Sequence, residues 1–107
     1  MKRNERPWRR KIVVYWRDIP AQILVKKGRT SARREMPSVF MEVIDACAMR
    51  IGAKDSDAYM AEWRRTDPAE VSDNLEEEAD AALSELVAAY PKERLNALLA
   101  RGGIEND

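Results

Sequence analysis

The chain has 107 residues, 36% of them charged, and its 19 basic and 19 acidic side chains cancel to a formal net charge of zero. A chain of this length forms one domain with a modest hydrophobic core. It contains no histidine and one cysteine, which excludes Ser-His-Asp triads, Cys-His pairs, histidine metal sites, zinc clusters and iron–sulfur centres.

Other signals for membranes, secretion and nucleotides are also missing from the sequence. No run approaches the roughly 20 apolar residues of a membrane span, and no apolar segment follows the basic start MKRNERPWRRK, as it would in a signal peptide. Neither GxxxxGK[ST] nor GxGxxG occurs, so the common phosphate-binding loops are lacking. A single cysteine is typical of a reducing compartment. We therefore expect a cytoplasmic protein without a membrane partner, cofactor or metal.

The zero net charge conceals a strong asymmetry along the chain. Residues 1–36 hold 12 basic and three acidic side chains, a net charge of +9, so residues 37–107 carry −9. The sequence thus predicts a basic first part and an acidic second part, and such a polarity bears on which partners each part can meet.

The first predicted elements are strands. Residues 1–10 are charged and lack apolar periodicity, so we expect a basic mobile arm there. Residues 11–17 alternate as a strand, Asp18-Ile19-Pro20 forms a tight connection, and residues 21–27 resume the strand pattern. Gly28 supplies a turn before a weak third strand near residues 31–35. The pattern predicts an antiparallel hairpin or three-stranded meander over about residues 11–35.

Both faces of this hairpin are partly apolar. Ile12, Val14 and Trp16 suit a side that faces helices, which leaves Val13, Tyr15 and Leu24 on the other side. An uncovered apolar sheet face in a small protein commonly marks an interface. Alternatively, the long C-terminal helix folds back and covers it.

Helical periodicity begins after Met36. The apolar stripe predicts a helix over residues 37–51, then a short helix capped by Asp55 or Ser56 with Tyr59, Met60 and Trp63 on one side. Asp67-Pro68-Ala69-Glu70 has the signature of a helix start, and a long helix would run from there to Tyr90. A last helix carries Leu95, Leu98 and Leu99, and Gly102-Gly103 would release the tail. The predicted fold is a single α+β domain over residues 11–107, with three to four helices packed on the sheet.

Nucleic-acid binding is one function that the basic part allows. Its cations and aromatics could neutralise phosphates and stack on bases. The residues concerned are Arg6, Trp8, Arg9, Arg10, Lys11, Lys26, Lys27 and Arg29. Tyr15 and Trp16 would face opposite ways on a strand, so they cannot form one stacking platform. Packing roles for both rings and a solubilising role for the charges are the simpler alternative.

The acidic stretch has two interpretations as well. Asp73, Glu76, Glu77 and Asp80 share one helical face, which could bind a hard cation or pair with the protein's own basic strand edges. We favour internal neutralisation. Cys47 lies within an apolar stripe and is expected to be a buried, unreactive thiol. An acid–base enzyme using Asp18 or Asp57 ranks last, because no partner group stands at a recognisable spacing.

Three segments carry a family resemblance: YWRDIPAQILVKKGR, FMEVIDACAMRIG and SDAYMAEWRR. They are similar to the bacterial virulence factor family, a domain that also occurs fused to helical repeats in conserved virulence factor C. The resemblance covers about Lys11 to Arg65 as a family-like core, with residues 66–107 as an acidic helical extension. It implies no catalytic residue and no cofactor. It also implies an accessory role in folate- and corrinoid-dependent methyl transfer.

The preferred hypothesis is therefore a non-enzymatic interaction domain with a protein partner, and a homodimer is compatible with it. The expected contact surface consists of Tyr15, Arg17, Asp18, Gln22, Tyr59, Trp63 and Arg64. Nucleic-acid binding through the arm and hairpin is the alternative.

Overall fold

The alternating residues of the first third form an antiparallel sheet, and the periodic residues after Met36 form helices. The computed structural model describes residues 9–52 and 56–105. Its elements are β1 (Arg9–Trp16), β2 (Ile19–Lys27), β3 (Thr30–Glu35), α1 (Ser38–Arg50), α2 (Ser56–Ala61), β4 (Trp63–Arg65), β5 (Ala69–Glu70), α3 (Leu75–Ala89) and α4 (Lys92–Ala100). The predicted α+β class, with strands first and helices after, is confirmed. β1 begins at Arg9, so Arg9 and Arg10 belong to the sheet and not to an arm; Arg6 and Trp8 lie outside the described residues.

The sheet is wider than the predicted meander. Its order is β3-β2-β1-β4, and β5 also pairs with β1. β4 and β5 lie along the same edge of β1, and between them the backbone N–H of Val13 donates to the Thr66 hydroxyl while the Thr66 N–H donates to the Val13 carbonyl. The edge of β1 is thereby paired over much of its length, which removes an aggregation-prone open edge.

The predicted helix start at Asp67-Pro68-Ala69-Glu70 is wrong. Ala69 and Glu70 pair with β1, and the Val71 N–H donates to the Arg9 carbonyl. The long helix begins instead at Leu75, where the Asn74 side chain caps it by accepting from the Glu77 N–H. In this arrangement backbone groups of the segment form hydrogen bonds with β1, whereas in an exposed first helical turn its N–H groups would have no backbone partner. Trp63 is likewise not helical, because α2 ends at Ala61 and Trp63 opens β4.

Cross-strand partners lie on the same face of a sheet, so the register defines two faces. Val13 lies opposite Ile23, and Val25 lies opposite Ala32, on the side against which α3 packs; we call this the helix-covered face. The other side, the open face, contains three rows: Arg10, Lys26 and Ser31; Ile12, Leu24 and Arg33; and Arg65, Val14, Gln22 and Glu35.

The expected orientation of β1 was therefore wrong for most of the strand. Val13 belongs to the main core, whereas Ile12 and Val14 lie on the open face, outside the main core cluster. The alternation alone cannot choose between two apolar faces; Ile23, Val25 and Ala32 on the neighbouring strands decide it. Trp16 shares the side of Ile12 but is fully buried at the strand end, where Tyr59 and Gly103 cover it.

The remaining helices close the core at the end of the sheet. α1 packs against α4 and β2, with Phe40 edge-on to Tyr90 at 6.1 Å between ring centroids. Cys47 is buried with its Sγ 3.8 Å from the Leu98 carbonyl oxygen, and burial raises the pKa of this thiol. The predicted buried cysteine is confirmed. Gly102 and Gly103 do not release the tail, because both are buried against the Trp16–Ile19 turn.

Candidate functional site

The turn at Arg17-Asp18 joins β1 to β2 and is fastened on two sides. The Arg17 N–H donates to the Glu62 carbonyl at 3.0 Å, and the Asp18 N–H donates to the Gly103 carbonyl at 2.9 Å. Arg17 adopts a φ of 54°, a left-handed conformation that is uncommon for a residue with a side chain. Its guanidinium bonds to the Gly102 carbonyl and to the Glu62 carboxylate, and its side chain is only 18% exposed. Arg17 was expected at the contact surface, but most of its side chain is buried and its guanidinium is engaged in holding the turn.

Asp18 ties three distant segments together. Its Oδ1 accepts from Arg64 at 3.2 Å, and its Oδ2 accepts from the Glu105 N–H at 2.7 Å. The Tyr90 hydroxyl donates to its backbone carbonyl at 3.3 Å. A carboxylate with these partners does more than form a local turn, since it attaches β4 and the residues after α4 to the sheet.

A polar pocket of about 300 Å³ opens beside this turn. It is lined by Tyr15, Asp18, Arg64, Thr66, Tyr90 and Glu105. The Arg64 guanidinium lies 4.6 Å from the centroid of the Tyr15 ring, and such cation–π contacts hold both groups in place. The sequence predicted Tyr15, Asp18 and Arg64 as site residues, and the fold does bring these three together.

The ionisable side chains of the polar pocket take part in hydrogen bonds that shift their pKa values or hold their positions. Burial, with the neighbouring Tyr15 ring, raises the pKa of Tyr90 to about 12, so its hydroxyl stays protonated at physiological pH. Hydrogen bonds from Arg94 lower the pKa of Glu105, and the same pairing raises the pKa of Arg94. Both carboxylates of the pocket accept hydrogen bonds, Asp18 from Arg64 and the Glu105 N–H, and Glu105 from Arg94.

A second, more apolar depression of about 340 Å³ lies on the open face of the sheet. Its lining consists of Val14, Gln22, Met60, Trp63, Arg64 and Arg65. Met60, one of these lining residues, is 61% exposed. Tyr59 lies beneath, with its ring centroid 5.9 Å from those of Trp16 and Trp63, and burial raises its pKa.

The fold thus divides the predicted contact residues between two pockets. Gln22, Trp63 and Arg64 line the apolar depression, and Arg64 also borders the polar pocket. Val14, Met60 and Arg65 were missed, because their place depends on the pairing of β4 with β1. The sequence could have indicated Met60, because it was assigned to the apolar side of α2 and that helix is too short to bury it.

The two sheet faces differ in how their charges are neutralised. On the helix-covered face, Arg34 pairs with Glu76 and Asp80 of α3, at 2.5 and 2.8 Å. Asp73 lies 3.3 Å from both Arg9 and Lys27. The predicted internal neutralisation of the basic strands by the acidic stretch is confirmed on this face.

A family model matches most of the chain. The matched residues are 14–99, and the model is described as virulence factor. The chain belongs to the virulence factor family. The match runs past Arg65, where the recognisable motifs end, and includes α3 and most of α4. No curated protein and no solved structure matches this family member.

Two aromatic residues weighed for nucleic-acid binding, Tyr15 and Trp16, are engaged in other contacts of this virulence factor domain, and Trp8 lies outside the described residues. Trp16 is fully buried and the Tyr15 ring is covered by Arg64. The described cations of that hypothesis are also dispersed: Arg9, Lys11 and Lys27 lie on the helix-covered face, Arg10 and Lys26 on the open face, and Arg29 in the β2–β3 turn.

The described part of the virulence factor domain shows neither a metal-binding cluster nor a membrane-spanning helix. Within residues 9–52 and 56–105, no group of three or more histidine, cysteine or carboxylate side chains has a metal-binding arrangement. In the same residues, no helix has the length and apolar character needed to cross a bilayer. Asp57 is exposed in the first turn of α2.

Proposed function

We propose that this virulence factor domain is a non-enzymatic interaction domain that serves a partner protein as an accessory subunit. The observation that carries the proposal is the apolar depression on the open face, where exposed Met60 stands beside Val14 and Trp63. Gln22, Arg64 and Arg65 surround this apolar centre with polar groups. An apolar centre with a polar rim is the usual anatomy of a protein–protein interface.

The chemistry of the polar pocket supports a binding role in preference to catalysis. Asp18 accepts from Arg64 and from the Glu105 N–H, and Tyr90 is protonated over the physiological range. These groups fix the position of Arg64, which lines both pockets. The polar pocket therefore supports the interaction surface, because the hydrogen bond between Arg64 and Asp18 holds β4 beside the Arg17-Asp18 turn.

The family resemblance narrows the proposed partner. It implies an accessory role in folate- and corrinoid-dependent methyl transfer, so the partner we propose is a protein of that one-carbon chemistry in the cytoplasm. Recovery of a corrinoid- or folate-dependent methyltransferase with the tagged domain would support this narrower proposal. Recovery of partners unrelated to one-carbon transfer would contradict it and leave the interaction role intact.

A matched pair of methionines tests the proposed surface. Met60 is 61% exposed in the depression, and Met49 is 63% exposed on α1. Tagged wild-type protein, Met60→Glu and Met49→Glu would be used to capture partners from cells that make the chain naturally. We expect a specific partner with wild type and with Met49→Glu, reduced about tenfold or more by Met60→Glu, because an interface loses most from a charge at its apolar centre. Equal recovery with all three proteins, or no specific partner with any, would refute the proposal.

A further inference from the structure

The basic residues of the sheet fall into two sets with different surroundings. Arg9, Lys27 and Arg34 pair with carboxylates of α3 and of the segment before it. The open face instead carries a set that we call the open-face cations: Arg10, Lys26, Arg33 and Arg65. Within the described part of the chain, none of these four lies within ion-pair distance of a carboxylate. The positive charge that α3 leaves uncompensated is therefore concentrated on one surface.

Acidic groups do little to offset the open-face cations. Glu35 projects from the same face at the end of β3. Glu70 lies opposite Arg10 in the ladder, but its carboxylate reaches Arg9, at 3.6 Å. Among the described residues, four cations thus stand against Glu35 and Glu70, of which Glu70 reaches Arg9, and like charges at this density favour an anionic partner.

Apolar side chains lie between these cations. Ile12 and Leu24 are adjacent cross-strand partners outside the main core cluster, and each is buried, with 9% of its surface exposed. Val14 follows Ile12 on the same face, is half-buried and lines the apolar depression. Val14, Met60 and Trp63 therefore form the apolar patch that a partner can reach, with basic residues beside it.

We propose that the open face binds an acidic amphipathic helix of a partner protein. The apolar side of that helix would lie on Val14 and Met60, and its carboxylates would pair with the open-face cations. This proposal rests on the proposed interaction function and names the chemistry of the partner. The partner helix would complete a second layer like the first, because α3 already packs an acidic helix on the basic strands of the opposite face.

A helix fits the open face better than a nucleic acid does. Single-stranded nucleic acids are held by exposed aromatic rings as well as by cations. Among the described residues, Trp63 is the one aromatic at the open-face depression, and its ring is partly buried against Tyr59. Tyr15 projects from the opposite face. The open face offers aliphatic contacts, which match leucine-type side chains rather than bases.

The proposal can be tested with two synthetic peptides and the full chain. The first peptide is an amphipathic helix of about 18 residues, about 27 Å long, with leucine on one side and glutamate on the other. The second has lysine in place of every glutamate. Binding is measured by fluorescence anisotropy, and its location by amide chemical shifts. We expect the acidic peptide to bind and to shift β1, β2, β4 and Met60, and we expect the affinity to fall as salt shortens the screening length.

Two double variants with the same charge change provide the control. Lys26→Glu/Arg33→Glu alters the open face, whereas Arg29→Glu/Lys92→Glu alters an exposed turn residue and the first residue of α4. Circular dichroism first establishes that both are folded. We expect the open-face variant to weaken acidic-peptide binding about tenfold or more and the control to change it by less than about twofold.

Several outcomes would overturn the proposal. These are no binding of the acidic peptide at low salt, equal binding of the lysine peptide, or equal weakening by both double variants. A single-stranded oligouridine that binds more tightly than the acidic peptide, and loses binding with Lys26→Glu/Arg33→Glu, would identify a nucleic-acid surface and also overturn it. The interaction function is judged separately by Met60→Glu in partner capture, so it can survive when the acidic-helix proposal fails.

Discussion

Replacement of Gly103 by alanine should loosen the attachment of the C-terminal segment to the Arg17-Asp18 turn. Gly103 has a φ of +95°, and its carbonyl accepts a hydrogen bond from the Asp18 N–H. A Cβ added there would lie 3.1 Å from a ring carbon of Trp16, with Arg17 and Ile19 carbons at 3.5 Å. Trp16 is fully buried, so it cannot move aside without disturbing the core.

Gly52→Ala is the matched control for this substitution. Gly52 also has a positive φ, +74°, but no described atom lies within 4 Å of its added Cβ. Placing alanine at positive φ costs roughly 1–2 kcal/mol at either position. The lower entropy of the unfolded chain offsets about 0.4–1 kcal/mol of that cost. The net loss expected for Gly52→Ala is therefore about 0 to 1.6 kcal/mol.

Gly103→Ala adds overpacking to that conformational cost. Extra methyl groups in a closely packed site typically cost about 1–3 kcal/mol, so Gly103→Ala should lower the free energy of unfolding by about 2 kcal/mol more than Gly52→Ala. For a domain of this size, a difference of that magnitude lowers Tm by about 10 °C.

Urea unfolding followed by tryptophan fluorescence measures the difference directly, with thermal unfolding by circular dichroism as a second measurement. The dependence of the unfolding free energy on urea concentration should be the same for both variants, since neither changes the surface exposed on unfolding. If the two variants agree within about 0.5 kcal/mol, a margin close to the error of extrapolation, Gly103 does not pack as described. The C-terminal segment would then not be anchored to the Arg17-Asp18 turn through Gly103.

Three other predictions concern titration and charge. The pKa of Tyr90 is raised by burial to about 12, above the ordinary value near 10. Because the unfolded chain loses this proton at a lower pH than the folded one, stability should fall between about pH 10 and 12. Chemical denaturation at each pH measures this fall, which should be less steep in Tyr90→Phe. Cys47 is buried with a raised pKa, so a thiol reagent at pH 8 should react with it at the rate of unfolding; rapid reaction in the native state would contradict this assignment. Arg34→Ala removes the pairs with Glu76 and Asp80, and its Tm deficit should be larger at low than at high salt; a deficit independent of salt would show that these pairs contribute no electrostatic stabilisation.

Local patterns in the sequence were sufficient for the elements that depend on local interactions. The β1–β2 hairpin and α1 follow from alternation and helical periodicity, and each of their observed bounds lies within two residues of the predicted one. β4 and β5 could not be found this way, because they have three and two residues and exist through pairing with β1. Pairing across some 50 residues leaves no periodic signal in so short a segment.

The candidate site was partly predictable for the same reason. Asp18 and Arg64 were singled out from the family motifs, and their contact at 3.2 Å brings the two motifs together. Met60 acquires its place from the early end of α2 and the entry of the chain into β4. The sequence also contained two apolar sheet faces without showing which one the helices cover, and that choice determines where a partner can bind.

The separation of charge between the faces also bears on self-association, which the sequence alone left open. Two copies that met through their open faces would bring Arg10, Lys26, Arg33 and Arg65 against the same residues of the other copy, and like charges across an interface are unfavourable. Contact between the open face of one copy and the exposed Glu77 and Glu85 of α3 in another has favourable charges. That contact is heterologous, however, and does not close into a dimer. The arrangement of charge therefore favours a different, acidic protein over a second copy of this chain.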